Sequence, residues 1–244
     1  MILHLRICSN LTLLYLLLGL FFAAAGTVKS GSVTGAVQLT GSSDSAVRKH
    51  DDYSGVVIWL EPLGKTMAPA PPEHLRMIQK DKHFDPHVLA IDVGATVEFP
   101  NLDPIFHNAF SSFDGQIFDL GLYPPGTSRS IHFTHTGVVR IFCNIHPSMS
   151  ALIVVLDSPH FATTGKDGHF IIREVPAGPY RVNVLHERAT DETLAALKRS
   201  VTVPESGAAL PLITISEAGY LPVPHKNKYG HDYPASREDR PGYP

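Results

Sequence analysis

One short stretch holds most of the side chains able to do chemistry. Residues 138–156 read as strand, short loop, strand, and the loop carries a thiol, an imidazole and a thioether at Cys143-x-x-His146-x-x-Met149. A second imidazole, His107, follows the strand-like run Thr96–Phe99 by way of Asp103-Pro-Ile-Phe106. One Cys, two His and one Met are the donors of a blue-copper site: a thiolate and two imidazoles hold the ion in a plane, and a weak axial thioether tunes its potential. Neither oxidation state finds its ideal geometry in such a set, so little has to move when an electron arrives. Taken singly, each residue has a plainer reading. A Cys at the end of an apolar strand is usually a small buried hydrophobe and a lone Met is core filler; a lone His is more often solvated or satisfied than a ligand. Their combination on one loop, with a His upstream, points to a metal.

Strand periodicity positions the thiol. Along residues 138–143 a period of two puts Val139, Ile141 and Cys143 on one face. The sulfur therefore faces apolar neighbours, and a dry shell raises the reduction potential by disfavouring the extra charge of Cu(II). Tyr123-Pro-Pro-Gly126 is a turn. The run Ser130–His135 alternates, with Ile131 and Phe133 on one side, so His132 and His135 fall on opposite faces and do not form a second metal pair. His74, His83 and His87 lack ligand spacing and read as solvated.

These motifs resemble those of the cupredoxins, the plastocyanin- and amicyanin-like blue-copper proteins. Phe84-x-Pro86, Val93-Gly94-x-x-Val97-x-Phe99-x-Asn101-x-Asp103 and His107-Asn108 match the family's N-terminal strands and first ligand, and the short Cys143–Met149 loop is most similar to the amicyanin type. The likeness spans residues 74–157. It implies His107, Cys143 and His146 as equatorial ligands and Met149 as the axial one. It implies Asn108 as the residue tying the ligand loops together. Ile105, Phe106 and Pro147, with Pro104, would form an apolar rim where the edge of His146 meets a redox partner.

The chain has 244 residues, enough for one or two domains with cores of their own. Its 20 Pro and 19 Gly suit many turns and short strands. The formal net charge is −3, and one unit more negative without Arg6, which argues against generic nucleic-acid binding. Residues 1–25 read as a secretory signal: Arg6, an apolar core over Leu11–Phe22, then Ala23–Ala25. This predicts an exported, periplasmic protein with no membrane span once the signal is removed. Cys8 lies in that signal and leaves Cys143 alone, without a disulfide partner; in an oxidising compartment a metal ligand is the simpler role for it.

Two further stretches flank the copper region. Residues 31–63 contain an alternating strand over 31–39, a polar loop over 41–52 and a buried strand over 56–60. A Pro-rich linker over 64–73 follows. In residues 160–215, Asp167-Gly168 is a hairpin turn, Val175-Pro-Ala-Gly178 is another, and Asp191–Arg199 can form a short helix. This second stretch resembles the carboxypeptidase regulatory-like domain, a transthyretin-like β-sandwich without catalytic residues, although Gly165 stands where that family often has Asp. That family opens with strands like those of 31–63. Either the two stretches form one sandwich with the copper domain inserted, or the domains simply follow one another. Residues 216–244 lack an apolar period and read as a flexible tail, with no metal role given to His225 or His231.

The predicted fold is all-β: a cupredoxin Greek-key β-sandwich or barrel plus a transthyretin-like β-sandwich. The predicted function is an exported type 1 copper protein, with one copper, carrying single electrons to or from a periplasmic redox partner. The alternative is a copper-binding or envelope- or carbohydrate-binding module without electron transfer. Proteins with this pairing of domains are similar to those labelled methylamine utilization proteins, a pathway association rather than a chemistry. No enzyme is expected. The paired His-x-His motifs of multicopper oxidases, a second loop Cys for a two-copper centre (Pro147 stands there), and serine-nucleophile, phosphate-loop and zinc-protease motifs are all missing.

Overall fold

A computed structural model describes residues 30–64, 73–112, 115–222 and 224–234. The expected signal over 1–25, most of the Pro-rich linker and the chain beyond 234 lie outside the described residues. The fold is all-β. In chain order its strands are β1 (Ser30–Thr40), β2 (Val57–Pro62), β3 (His74–Arg76), β4 (Ile78–Lys80), β5 (His83–Asp85), β6 (Val88–Asp92), β7 (Thr96–Pro100), β8 (Phe110–Ser111) and β9 (Phe118–Asp119). They continue as β10 (Ser128–His132), β11 (Gly137–Phe142), β12 (Ser150–Leu156), β13 (Phe161–Thr163), β14 (His169–Pro176), β15 (Gly178–Leu185), β16 (Arg199–Val203), β17 (Ala208–Ala209) and β18 (Ile213–Ser216). Among the described residues two short helices, α1 (Ser45–His50) and α2 (Asp191–Leu197), complete the set. Among the described residues no helix is long and apolar enough to cross a membrane.

The central strands form a sheet in the order β6-β12-β11-β8-β9, faced by β10-β7-β3. Their shared core includes Phe84, Ile91, Val97, Phe99, Phe118, Phe133, Val139, Ile141 and Ile153. The antiparallel register of β11 on β12 runs from Gly137↔Val155 to Phe142↔Ser150, which leaves Cys143–Met149 as the loop at its open end. The parallel pairing of β6 with β12 covers the other edge of β12.

The outer strands come from both ends of the chain. β1 pairs with β14, β17 and β18, while β2 lies between β13 and β15. Val33, Val37, Leu39, Ile58 and Leu60 thus share a core with Phe170, Ile172, Val182, Val184 and Ile213. The turn at Gly168 takes φ +73°, and a Cβ there would collide with the Val37 carbonyl, so the hairpin needs glycine. A third apolar cluster joins the two units, setting Val57 and Trp59 against Val88, Ala90, Leu152 and Val154.

Helix α1 departs from the loop expected over 41–52. Asp44 caps it by accepting from the Ala46 N–H at 2.8 Å, and Val47 alone is buried. One buried residue in six leaves no helical period to read.

A charged cluster also spans the junction. Glu217 accepts from His186 Nε2 at 2.7 Å and from Arg188; Glu187 meets His87 Nε2 at 2.9 Å and Arg188 at 3.2 Å. The Glu187 hydrogen bond raises His87 above its ordinary 6.5, against burial. Burial pushes Glu187 up, but His87 and Arg188 outweigh it and hold the carboxyl below 4.5. The raised His87 contributes stability that is complete below pH 6.5 and lost as pH rises through its folded pKa. The lowered Glu187 contributes stability that is complete above pH 4.5 and lost as pH falls through its own. The pair is therefore at full strength between those two values. His87→Ala is expected to cost about 0.5–1 kcal/mol near pH 5.5, a modest figure because the imidazole is half-exposed, and close to nothing near pH 9. Urea melts at the two pH values check this.

Candidate metal centre

Asn101, Asp103 and Tyr123 build the ground on which His107 stands. Asn101 Oδ1 accepts from the Asp103 N–H at 3.1 Å and its Nδ2 donates to the Ile105 carbonyl at 2.8 Å, folding residues 101–105 into a tight turn. The backbones of His107 and Tyr123 exchange two hydrogen bonds, 3.2 and 2.9 Å. The buried Tyr123 hydroxyl donates to the Phe99 carbonyl at 3.0 Å and accepts from Gln79 Nε2. The sequence marks Tyr123 only as a turn residue; its structural part is to fix the His107 backbone.

Asp103 orients the ring. Its Oδ2 lies 2.7 Å from His107 Nε2, with both side chains almost wholly buried. Burial pushes this carboxyl up, but the Lys82 N–H, His107 and the Asp81 N–H outweigh it and hold it below the usual range. An ionised carboxylate only accepts, so His107 Nε2 carries the ring proton and Nδ1 presents a bare lone pair. Sequence analysis places Asp103 in a family motif without this task; its position four residues before the His is the available signal.

The second segment enters along β11. Val139, Ile141 and Cys143 are all fully buried in the central core. Beyond Cys143 the loop closes through the Cys143 N–H to the Met149 carbonyl at 3.2 Å and the Met149 N–H to the His146 carbonyl at 3.1 Å. Asn108 joins the two segments: Oδ1 accepts from the Asn144 N–H at 3.2 Å, while Nδ2 donates to Asp119 at 2.8 Å and to the Gly121 carbonyl at 2.9 Å.

His107, Cys143 and His146 present their donor atoms within 4.8 Å of one another. Cys143 Sγ is 3.5 Å from His146 Nδ1 and 3.9 Å from His107 Nδ1; the two Nδ1 atoms are 3.1 Å apart. Donors sharing one ion in a plane, at bonds of about 2.0–2.3 Å, stand about 3.5 Å apart, so this triangle fits a single metal ion. Two unprotonated ring nitrogens at this separation repel unless a proton or cation lies between them. Burial, then the neighbouring His107, push the His146 pKa down and favour the neutral ligand form. Burial raises the Cys143 thiol, opposed by the N–H groups of Ile145, Asn108 and His146. Those amides are aimed to steady a thiolate once a cation offsets the burial. Met149 is fully buried in the same core as Cys143.

The rim is apolar. Leu102, Ile105, Phe106 and Ile145 are all exposed, as is Pro147, whereas His146 is half-buried. The tail expected to be flexible instead lies against the loop over residues 224–234: Tyr233 donates to the Cys143 carbonyl at 2.8 Å, and the Lys228 N–H donates to Asn144 Oδ1 at 3.0 Å.

No protein-family model and no curated protein sequence matches the chain. Solved structures do. A purple cupredoxin from Nitrosopumilus maritimus is 26% identical with a TM-score of 0.31, over 34% of this chain and 99% of its own. An oxidized amicyanin variant is 21% identical with a TM-score of 0.32, over 34% of this chain and 81% of its own. A copper-containing nitrite reductase from Thermus scotoductus SA-01 is 25% identical with a TM-score of 0.33, over 49% of this chain and 28% of its own. The regulatory-like resemblance of residues 160–215 is not shown by the structures named above. The nitrite reductase corrects the expectation that no enzyme is present. A catalyst thus stands among these structures beside small cupredoxins.

Asp103→Ala strands the His107 Nε2–H and two backbone N–H groups. It is expected to cost about 2–3 kcal/mol in a denaturant melt of the metal-free protein, with Asp103→Asn recovering part of the loss.

Proposed function

We propose that this chain is an exported, periplasmic copper protein that passes single electrons to or from a redox partner through one type 1 site held by His107, Cys143, His146 and Met149. The observation that carries the reading is the triangle of one sulfur and two imidazole nitrogens within 4.8 Å, two of its three residues buried and the third half-buried. A copper ion bound there would supply a reversible Cu(II)/Cu(I) couple.

The protein's own part is to hold the donors still. Asp103 fixes the tautomer and plane of His107, and Asn108 keeps the Cys143 loop in register with the His107 segment. The amides around Cys143 favour the thiolate. Two influences on the potential oppose each other. The dry core around Cys143 favours the lower charge of Cu(I), whereas the anionic Asp103 behind His107 favours Cu(II). The exposed side chains of Ile105 and Phe106, just before His107, and of Pro147, just after the half-buried His146, suit a transient apolar contact with a redox partner.

We also propose that residues 31–63 and 160–215 make one β-sandwich interrupted by the copper domain over 74–157. The pairing of β1 with β14 and of β2 with β15 supports this.

Copper-loaded protein is expected to show an intense thiolate-to-copper absorption near about 600 nm, lost in Cys143→Ser and bleached reversibly by a mild reductant. A protein that binds Cu(I) tightly yet shows neither the band nor a reversible couple would be a copper-binding module instead. Charged substitutions at Ile105 and Phe106 are expected to slow electron exchange with the partner at least tenfold without changing the band; stopped-flow mixing measures this.

A further inference from the structure

The segment over residues 224–234 has no strand or helix and little buried apolar surface, yet it reaches both halves of the donor triangle. Tyr233 donates to the carbonyl of Cys143 at 2.8 Å. His225 Nε2 stands 2.8 Å from the carbonyl of Pro147, the residue after His146, and a carbonyl only accepts, so that nitrogen carries the proton. The His225 ring stacks on Phe142, the residue before Cys143, with centroids 4.1 Å apart. His225 Nδ1 and the Tyr233 hydroxyl stand 3.2 Å apart, so the two anchors lie side by side. Lys228 meets Asn144 Oδ1 through its backbone and Asp119 Oδ2 through Nζ at 2.7 Å. Asp119 in turn holds the Asn108 amide.

These contacts bracket the ligand loop. They hold the backbone on both sides of the Cys143–His146 turn and brace, through Asp119 and Asn108, the segment that carries His107. The donor atoms themselves are untouched, so the effect acts through position alone.

We propose that His225 and Tyr233 are positioning residues of the metal centre: by clamping the carbonyls of Pro147 and Cys143 they hold the loop in its metal-ready shape and slow the escape of copper. This inference rests on the copper reading given above.

The test uses the full-length protein with Tyr233→Phe, which keeps the ring and deletes the donor, and His225→Phe, which keeps a ring on Phe142 and deletes the donor to Pro147. Tyr53→Phe, which removes a hydroxyl bonded to Asp51 in the outer unit, is the control. Two quantities are read. Hydrogen exchange at the amides of residues 143–149 in metal-free protein is expected to quicken about fivefold in each variant, the scale of one net hydrogen bond. Copper loss from reduced protein to an excess of a strong Cu(I) chelator is expected to quicken by a similar factor, with the control unchanged in both. Unchanged exchange in both variants overturns the clamp. Faster exchange with unchanged copper loss overturns its role toward the metal and leaves a structural tie only. Wild-type protein that takes up no copper removes the copper reading and this inference together, whereas normal uptake with unchanged exchange removes this inference alone.

Discussion

A single side-chain amide ties together the two segments that carry the candidate metal donors. Asn108 and Asn144 are 36 residues apart, and the 3.2 Å hydrogen bond between them keeps the segment carrying one imidazole level with the loop carrying the thiol. The same amide is held from behind by Asp119 and the Gly121 carbonyl, so the tie cannot rotate freely. Around it the core supplies rigidity of a less specific kind, since Val139, Ile141 and Cys143 are fixed by burial on one face of β11. Apolar packing places strands to within the tolerance of a sheet, and directional hydrogen bonds close the remaining gap to bonding distance.

The electrostatics of the donor set follow from where water is excluded. Burial works against a thiolate at Cys143 and against an imidazolium at His146. Both pressures act on the metal-free chain, which keeps its sulfur protonated and the His146 imidazole neutral. A cation reverses only the first, because a neutral imidazole is already the form that ligates. The ionised Asp103, satisfied by backbone N–H groups and by His107, is a fixed negative charge behind that imidazole. It lets the His107 tautomer be set before any metal arrives.

Much of this was legible in residue order, and the limits have physical causes. The alternation along residues 138–143 is local and put Cys143 facing inward; the turn signals at Asp167-Gly168 and Tyr123–Gly126 fell where glycine takes positive φ. The three donors were legible by type and spacing, and their convergence needed only the register of β11 on β12 and the Asn108 tie. The anchoring by Asp103 was hidden because it depends on a turn folded by the Asn101 side chain, not on any periodic pattern. Residues 224–234 were hidden for a related reason. They attach by donating hydrogen bonds to carbonyls rather than by burying apolar area, so hydropathy reads them as a loose end. Helix α1 escaped because one buried residue makes no period. The exclusion of catalysis rested on missing motifs alone, and motifs describe sites rather than folds.

The strand pairing that draws on both ends of the chain bears on the order of assembly. Thr40 and Ile215, joined across β1 and β18, stand 175 residues apart in sequence. The central sheets close through far nearer neighbours, such as β11 with β12. Loop-closure entropy therefore lets the inner unit condense first, and its compaction shortens the effective span that the outer strands must bridge. In a polypeptide emerging from its amino end, β1 waits unpaired until β14 has been made, and its far end until β18.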